Sequence, residues 1–270
     1  MSLGLGTQIG RGGVRTPSHV TSNLKMLHRY NAGSVVPVSD GAAYFDGTDD
    51  YITIGDITGA DGASALTLAC WVNLRDSAID PLISKGAYNT AGDSFAWMYD
   101  VGTGSGRMSF SIANSITAYI DSLNDNADAW STTTDSGSWA HLAVTYNKSA
   151  ENITFYVNGV AFAPSSGPTG SWVDIPDTSE ILYLGRIGSN YANYYMCNAA
   201  IWTGALTQAQ IKSIMFKNYS DLIDSEKDAG TTGSSNLVSW WNLDVETATD
   251  GTAGSGGVKD SHGSNHGDLE

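Results

Sequence analysis

The sequence predicts an all-β protein built as a two-sheet antiparallel sandwich, and three observations carry that prediction. The stretch SWAHLAVTYNKSAENITFYVNGV (138–160) alternates with period two: Leu142, Val144 and Tyr146 share one face, and Ile153, Phe155 and Val157 share one face of the next run. Such alternation marks strands with one face in a core. Asn158-Gly159 then supplies the residue pair that most readily takes positive φ in a tight hairpin, leading into Val160-Ala161-Phe162. Composition agrees: 31 Gly, 6 Pro and only 15% charged residues describe a turn-rich chain, and 270 residues suffice for one large sandwich core.

The other elements follow in order. Ala42 to Phe45 runs into the turn Asp46-Gly47-Thr48-Asp49-Asp50, and Tyr51 to Ile54 returns. Leu66 to Leu74 sets Leu66, Leu68, Cys70, Val72 and Leu74 on one face and Trp71 on the other. Pro81 to Lys85 is a short strand closed at Gly86, and Ser94 to Tyr99 with Arg107 to Ile112 reads as a pair. After the meander come strands at Glu180 to Ile187 and Tyr194 to Trp202. A helix is predicted from Gln208 to about Lys217 with Thr207 as N-cap and Ile211, Ile214 and Met215 on one side, and Ser220 to Lys227 adds a short helical turn.

Charge divides the chain. Arg11, Arg15, Lys25 and Arg29 precede the first acid, Asp40, so residues 1–39 carry +4; the other 9 Lys/Arg face all 28 acids, a net of −19. An acidic body of that kind excludes general nucleic-acid or anionic-membrane binding. The basic, Gly-rich arm reads either as a leader that does not fold alone or as an arm that docks on a partner or a neighbouring subunit through those four cations. The domain division is accordingly 1–39 and 40–270. No apolar run reaches membrane-span length, and MSLGLGTQIGRGG has no apolar core of signal-peptide length. Cys70 and Cys197 each sit in a strand-like segment, as buried thiols or, if the fold joins those strands, as a bridge.

Several segments together carry a family resemblance: FDGTDDYITIG (45–55), LTLACWVNL (66–74), PLISKG (81–86), SWAHLAVTYN (138–147), ITFYVNGV (153–160), LYLGRIG (182–188) and IWTGALTQAQI (201–211). In that order the chain resembles the laminin-G-like, pentraxin-like branch of the concanavalin A-like lectin/glucanase folds over roughly residues 42 to 217. The resemblance implies a jelly roll with one concave and one convex sheet. LVSWWNLD (237–244) and KDSHGSNHG (259–267) resemble the segment that usually opens such a domain, yet stand last here. A lone Trp-Trp strand would expose a large apolar surface, so residues 236–270 are expected to complete the sandwich, in their own subunit or in a neighbour.

Catalysis is not expected. The glucanases of this superfold use carboxylates at Glu-x-Asp-x-Glu spacing, which puts acid and base on one sheet face, and no such run occurs. Asp174 and Asp177 flank a proline in a loop, and His262 and His266 lie in a Gly/Ser/Asn turn. His141 reads as a packing residue. No cofactor and no metal are assigned. The resemblance points to calcium ligands near Asn89 and Asp93 and in 186–190, but Arg186 stands where carboxylates are needed. The acidic turn Asp46/Asp49/Asp50 offers a structural ion site or a self-bonded Asx turn.

Recognition remains. Trp130, Trp172, Tyr191 and Tyr194 lie in loop-like, polar surroundings suited to stacking on sugar rings, together with Tyr195. Two functional classes follow. The first is a virion surface or assembly component, such as a phage capsid-decorating, fibre or tail protein assembled in the host cytoplasm, with other virion proteins or its own copies as partners. The second is a free carbohydrate-binding adhesion module, extracellular or at a cell surface, with glycans as partners.

Overall fold

The computed structural model describes residues 39, 41–75, 79–100, 107–113, 115–120, 138–227, 236–244 and 257–270. Two antiparallel sheets face each other. The seven-stranded sheet contains β1 (Ala43–Asp46), β15 (Asn193–Trp202), β3 (Ala65–Leu74), β8 (Ala140–Asn147), β9 (Asn152–Val157) and β10 (Val160–Phe162) in that order, with β16 (Leu237–Trp241) also on β15. β1 pairs with the first half of β15, through Asn193 to Met196, and β16 with the second half, through Ala199 to Trp202. The eight-stranded sheet runs β11 (Ser166–Gly170), β7 (Ile116–Ile120), β6 (Arg107–Ile112), β5 (Phe95–Asp100), β4 (Asp80–Lys85), β12 (Leu182–Leu184), β2 (Ile52–Gly55) and β17 (Asp268–Leu269). The jelly-roll sandwich expected from the sequence is what the chain forms.

Period-two alternation places the core. Leu66, Leu68, Cys70, Val72 and Leu74 of β3 and Leu142, Val144 and Tyr146 of β8 meet Ile52, Ile83, Trp97, Phe110 and Leu184 from the other sheet, all essentially inaccessible. Each such side chain contributes about 1.5–3 kcal/mol on burial. Asn158 (φ 50°) and Gly159 (φ 73°) turn β9 into β10 as the Asn-Gly pair predicts. The strand expected over 180–187 is interrupted. Gly185 takes φ 80°, and a Cβ there would meet the Phe45 ring at 2.9 Å. The chain therefore breaks into β12 and a two-residue strand, β13 (Arg186–Ile187), which forms a hairpin with β14 (Asn190–Tyr191).

A second, smaller core covers the outer face of the seven-stranded sheet. Helix α1 (Gln208–Ile214) starts at a capping box between Thr207 and Gln210, and ends three residues before Lys217. A 3-10 turn at Tyr219–Asp221 and helix α2 (Asp224–Lys227) follow. Ile211, Ile214 and Leu222 pack there on Ala69, Ala143, Trp202 and Trp240. Trp71 points to this side, its indole donating to the Met215 carbonyl and its ring edge-on to His141 at 5.5 Å.

The C-terminal segment completes both sheets within its own chain. Trp241 is fully buried and donates to the Asn265 carbonyl at 2.8 Å. Asp260, 1% exposed, accepts the backbone N–H groups of Trp240 and His262 at 3.0 Å and of Asn265 at 3.1 Å, which knits the returning loop to β16. Cys70 and Cys197 are buried free thiols, and burial pushes the Cys197 thiol up to about 12. Trp71, Trp202 and Trp241 are buried, whereas Trp139 is half-buried against the core rim.

Candidate functional site

The helices cover the outer face of the seven-stranded sheet; the eight-stranded sheet carries loops on its outer face instead. Its registers align a single cross-strand row: Asp268, Thr53, Tyr183, Ser84, Ala96, Ser111, Thr117 and Thr169. Paired residues of an antiparallel sheet point the same way, so the row is polar across nearly its whole width. The β13–β14 hairpin roofs Ser84, whose hydroxyl donates to the Arg186 carbonyl at 2.7 Å. Loop 86–94 roofs Ser111, whose hydroxyl accepts the Asn89 N–H at 3.1 Å. Beyond the hairpin Tyr183 and Thr53 are half-buried, and Asp268 at the sheet edge is buried.

There the structure gathers Tyr51, Tyr183 and Tyr191 around Arg186, all four half-exposed. The guanidinium carbon lies 4.5 Å from the Tyr51 ring centre, 4.9 Å from Tyr183 and 5.7 Å from Tyr191. Tyr51 meets Tyr183 edge-on at 5.8 Å and Tyr191 at 5.9 Å. Local sequence explains each position. Tyr51 and Tyr183 occupy outward parity beside Ile52 and between Leu182 and Leu184, while the Gly185 turn swings Arg186 back over both rings. The Arg186 Nε–H donates to the Gly188 carbonyl at 3.0 Å, which fixes the guanidinium plane. Cation–π contact holds the group without consuming its terminal N–H donors.

The residues singled out from sequence fare unequally. Tyr191 belongs to this cluster. Tyr194 does not: it is fully buried, edge-on to Phe45 at 5.3 Å, with its hydroxyl donating to the Pro81 carbonyl. Burial holds its phenol well above the usual range. Its place at inward parity in β15, beside Met196, makes it core, so the expectation of a ligand-binding Tyr194 is corrected. Trp172 has one face taken by Tyr146, stacked at 5.6 Å and 20°, and is half-buried against the core. Trp130 and the arm cations Arg11, Arg15, Lys25 and Arg29 lie outside the described residues. Tyr51, Tyr183 and Arg186 were not singled out as binding residues, although the outward parity of the two tyrosines was readable.

The donors present decide whether a metal ion fits. Near the loop implied by the resemblance, the Asp93 carboxylate accepts the Ala87 N–H at 2.8 Å, and Arg186 brings a positive charge to the second half. These residues do not fit a calcium ion. In the acidic turn, carboxylate oxygens of Asp46, Asp49 and Asp50 lie within 4.8 Å of one another. Asp46 accepts the Thr48 N–H at 2.7 Å and Asp50 accepts the Asp46 N–H at 3.1 Å, so the group is knitted as an Asx turn. Partial burial, then the Asp46 charge, raises the Asp50 carboxyl. His262 and His266 do not converge on one point: His262 Nδ1 meets the Tyr219 hydroxyl, while His266 Nδ1 accepts the Asp260 N–H. Asp174 is tied to Lys148 at 2.7 Å.

Comparison with known proteins places the chain in a family. No curated protein matches the sequence. Among solved structures the fold is similar to a putative carbohydrate binding protein from Bacteroides ovatus, with TM-score 0.56 and 18% identity over 87% of this chain. The chain spans 59% of the length of that protein. It is also similar to a heptameric SAP-like pentraxin from Limulus polyphemus, with TM-score 0.54 and 15% identity over 76% of this chain and 90% of the other. A laminin-G-type family model matches residues 46–212, and the chain thus belongs to the concanavalin A-like lectin/glucanases superfamily.

Proposed function

We propose that this domain is a non-catalytic glycan-recognition module whose binding surface is the Tyr51/Tyr183/Tyr191/Arg186 cluster. One observation carries the reading: three tyrosine rings, each partly exposed, gather on the outer side of the eight-stranded sheet around one guanidinium. Tyrosine presents a rigid apolar face and a polar tip, the pairing that a pyranose, with its C–H face and its hydroxyl rim, calls for. The likeness to the putative carbohydrate binding protein from Bacteroides ovatus supports the same class. The site is shallow, so single-copy affinity is weak and repeated copies raise avidity. The test is glycan-array binding followed by calorimetry on Tyr51→Ala and Tyr191→Ala. Each variant should lose about tenfold or more in affinity, the scale of one well-packed contact, at unchanged melting temperature. Wild-type affinity in both variants would refute the assignment.

A second reading rests on the contrast between the +4 arm and the −19 body. That contrast favours docking of residues 1–39 on an acidic partner, the body of a neighbouring copy included, as in a capsid-decorating, fibre or tail protein at a virion surface. Mass in solution with and without residues 1–39 tests it: equal masses at low and physiological salt reject arm-driven assembly and leave a free adhesion module.

A further inference from the structure

We infer that the ligand is an acidic sugar, a pyranose bearing a carboxylate, and that Arg186 is the residue that selects it; this rests on the glycan-recognition reading above. Arg186 spends its Nε–H on the Gly188 carbonyl. Among the described residues, its terminal nitrogens meet no carboxylate within 4 Å and no hydrogen-bond acceptor. A half-exposed guanidinium without an anionic partner stands out in a chain with 28 acids against 13 Lys/Arg. The nearest acid in the cross-strand row, Asp268 on β17, is 1% exposed, and its carboxylate oxygens meet no donor, so it does not neutralise Arg186.

The guanidinium carbon lies over the three rings at 4.5 to 5.7 Å, and a ring face is no hydrogen-bond partner that would satisfy the terminal N–H groups. A planar carboxylate matches the guanidinium fork with two parallel hydrogen bonds. In an acidic pyranose the carboxylate hangs one bond from the ring, so a sugar stacked on Tyr51 or Tyr191 brings it to Arg186 without strain. The net charge of −15 opposes adsorption of an extended polyanion. Recognition is therefore local, of one acidic residue in a short glycan.

Calorimetric titration of the full chain with a galacturonic-acid tetrasaccharide, 3′-sialyllactose and their carboxyl-reduced counterparts tests this. One or both acidic probes should bind about ten- to a hundredfold more tightly than the reduced partner, the ratio expected for charge-assisted hydrogen bonds. The two acidic probes distinguish a uronate from a sialate source. Arg186→Gln should erase the preference while Tyr191→Ala weakens acidic and neutral probes alike, and Arg186→Lys should restore only part of the preference because the fork is gone. Melting temperatures of the three variants control for folding. If neutral glycans bind through the tyrosines and Arg186→Gln changes nothing, the acidic-sugar inference falls and the recognition reading stands. If a broad array of acidic and neutral glycans is silent, both fall.

Discussion

Trp241 is where the claim that the chain closes its own sandwich is most exposed to test. Its indole is fully buried in the main core, on a strand that pairs with the second half of β15 and bridges Asp260, and it donates to the Asn265 carbonyl at 2.8 Å. Trp241→Ala removes the ring, which costs about 3–5 kcal/mol as lost transfer plus cavity. The abandoned Asn265 carbonyl adds about 1 kcal/mol. The sum, about 4–6 kcal/mol, approaches the whole stability of an average domain, about 5–15 kcal/mol. For a domain of this size it lowers Tm by about 10–20 °C. Guanidinium unfolding followed by far-UV circular dichroism reads the midpoint and the slope separately. A chain ending at residue 235 should unfold earlier still, and a synthetic peptide spanning 236–270 should restore it in trans. An unchanged midpoint with unchanged slope for Trp241→Ala would mean that this strand is not part of the folding unit.

Three further outcomes are expected. Burial lowers the His141 imidazole from 6.5 to about 3; below pH 6.5 the unfolded chain takes up a proton that the folded one refuses, so this stability is complete above 6.5 and is lost as pH falls toward 3. At about 1.4 kcal/mol per pH unit the loss reaches about 2 kcal/mol by pH 5, so urea titrations at pH 7 and pH 5 should show wild type losing about that much more unfolding free energy than His141→Gln; equal losses refute it. Lys85 is fully buried with its ammonium on Asp61 at 2.7 Å, Asp56 at 2.9 Å and the Ile57 carbonyl at 3.1 Å. Lys85→Met should cost about 3–5 kcal/mol by stranding Asp61, with part recovered in Lys85→Met/Asp61→Leu, and additive single effects in the double variant would contradict the pairing. Gly185→Ala must hold φ 80° against the Phe45 ring, a penalty of about 1–2 kcal/mol before any shift of that ring; a Tm equal to wild type would show that the turn is not constrained.

The sandwich was legible because its signals are local. Alternation in β3 and β8, the Asn-Gly hairpin and the Thr207/Gln210 cap each involve residues within a few positions of one another. What failed needed knowledge of neighbours. Glu180 to Ile187 looks like one strand until Phe45, more than a hundred residues away, occupies the space that a side chain at 185 would need. Tyr194 sits in GSNYANYY, whose polarity suggests a loop. The strand predicted from Tyr194 to Trp202 puts it in parity with Met196, but parity alone does not say which face of that strand meets the opposite sheet. Trp172 had polar neighbours in sequence and an aromatic one, Tyr146, in space.

Arg186 shows the same limit from the other side. In sequence it reads as a loss, a cation where the resemblance asks for carboxylates. In the structure that substitution has company: Tyr51 precedes β2, Tyr183 lies in β12, Tyr191 in β14, and the pairing of β12 with β2 brings the first two side by side. No one of the four positions is informative alone, since an outward tyrosine on a strand is ordinary. The informative quantity is their convergence on one charge that the described protein leaves unpaired. A buried ion pair would have made Arg186 a brace; an unpaired guanidinium held in plane by the Gly188 carbonyl and three ring faces is already oriented before a ligand arrives, so binding a carboxylate loses little side-chain entropy. That preorganisation, rather than the tyrosines alone, is what supports the proposed recognition surface beside the β13–β14 hairpin.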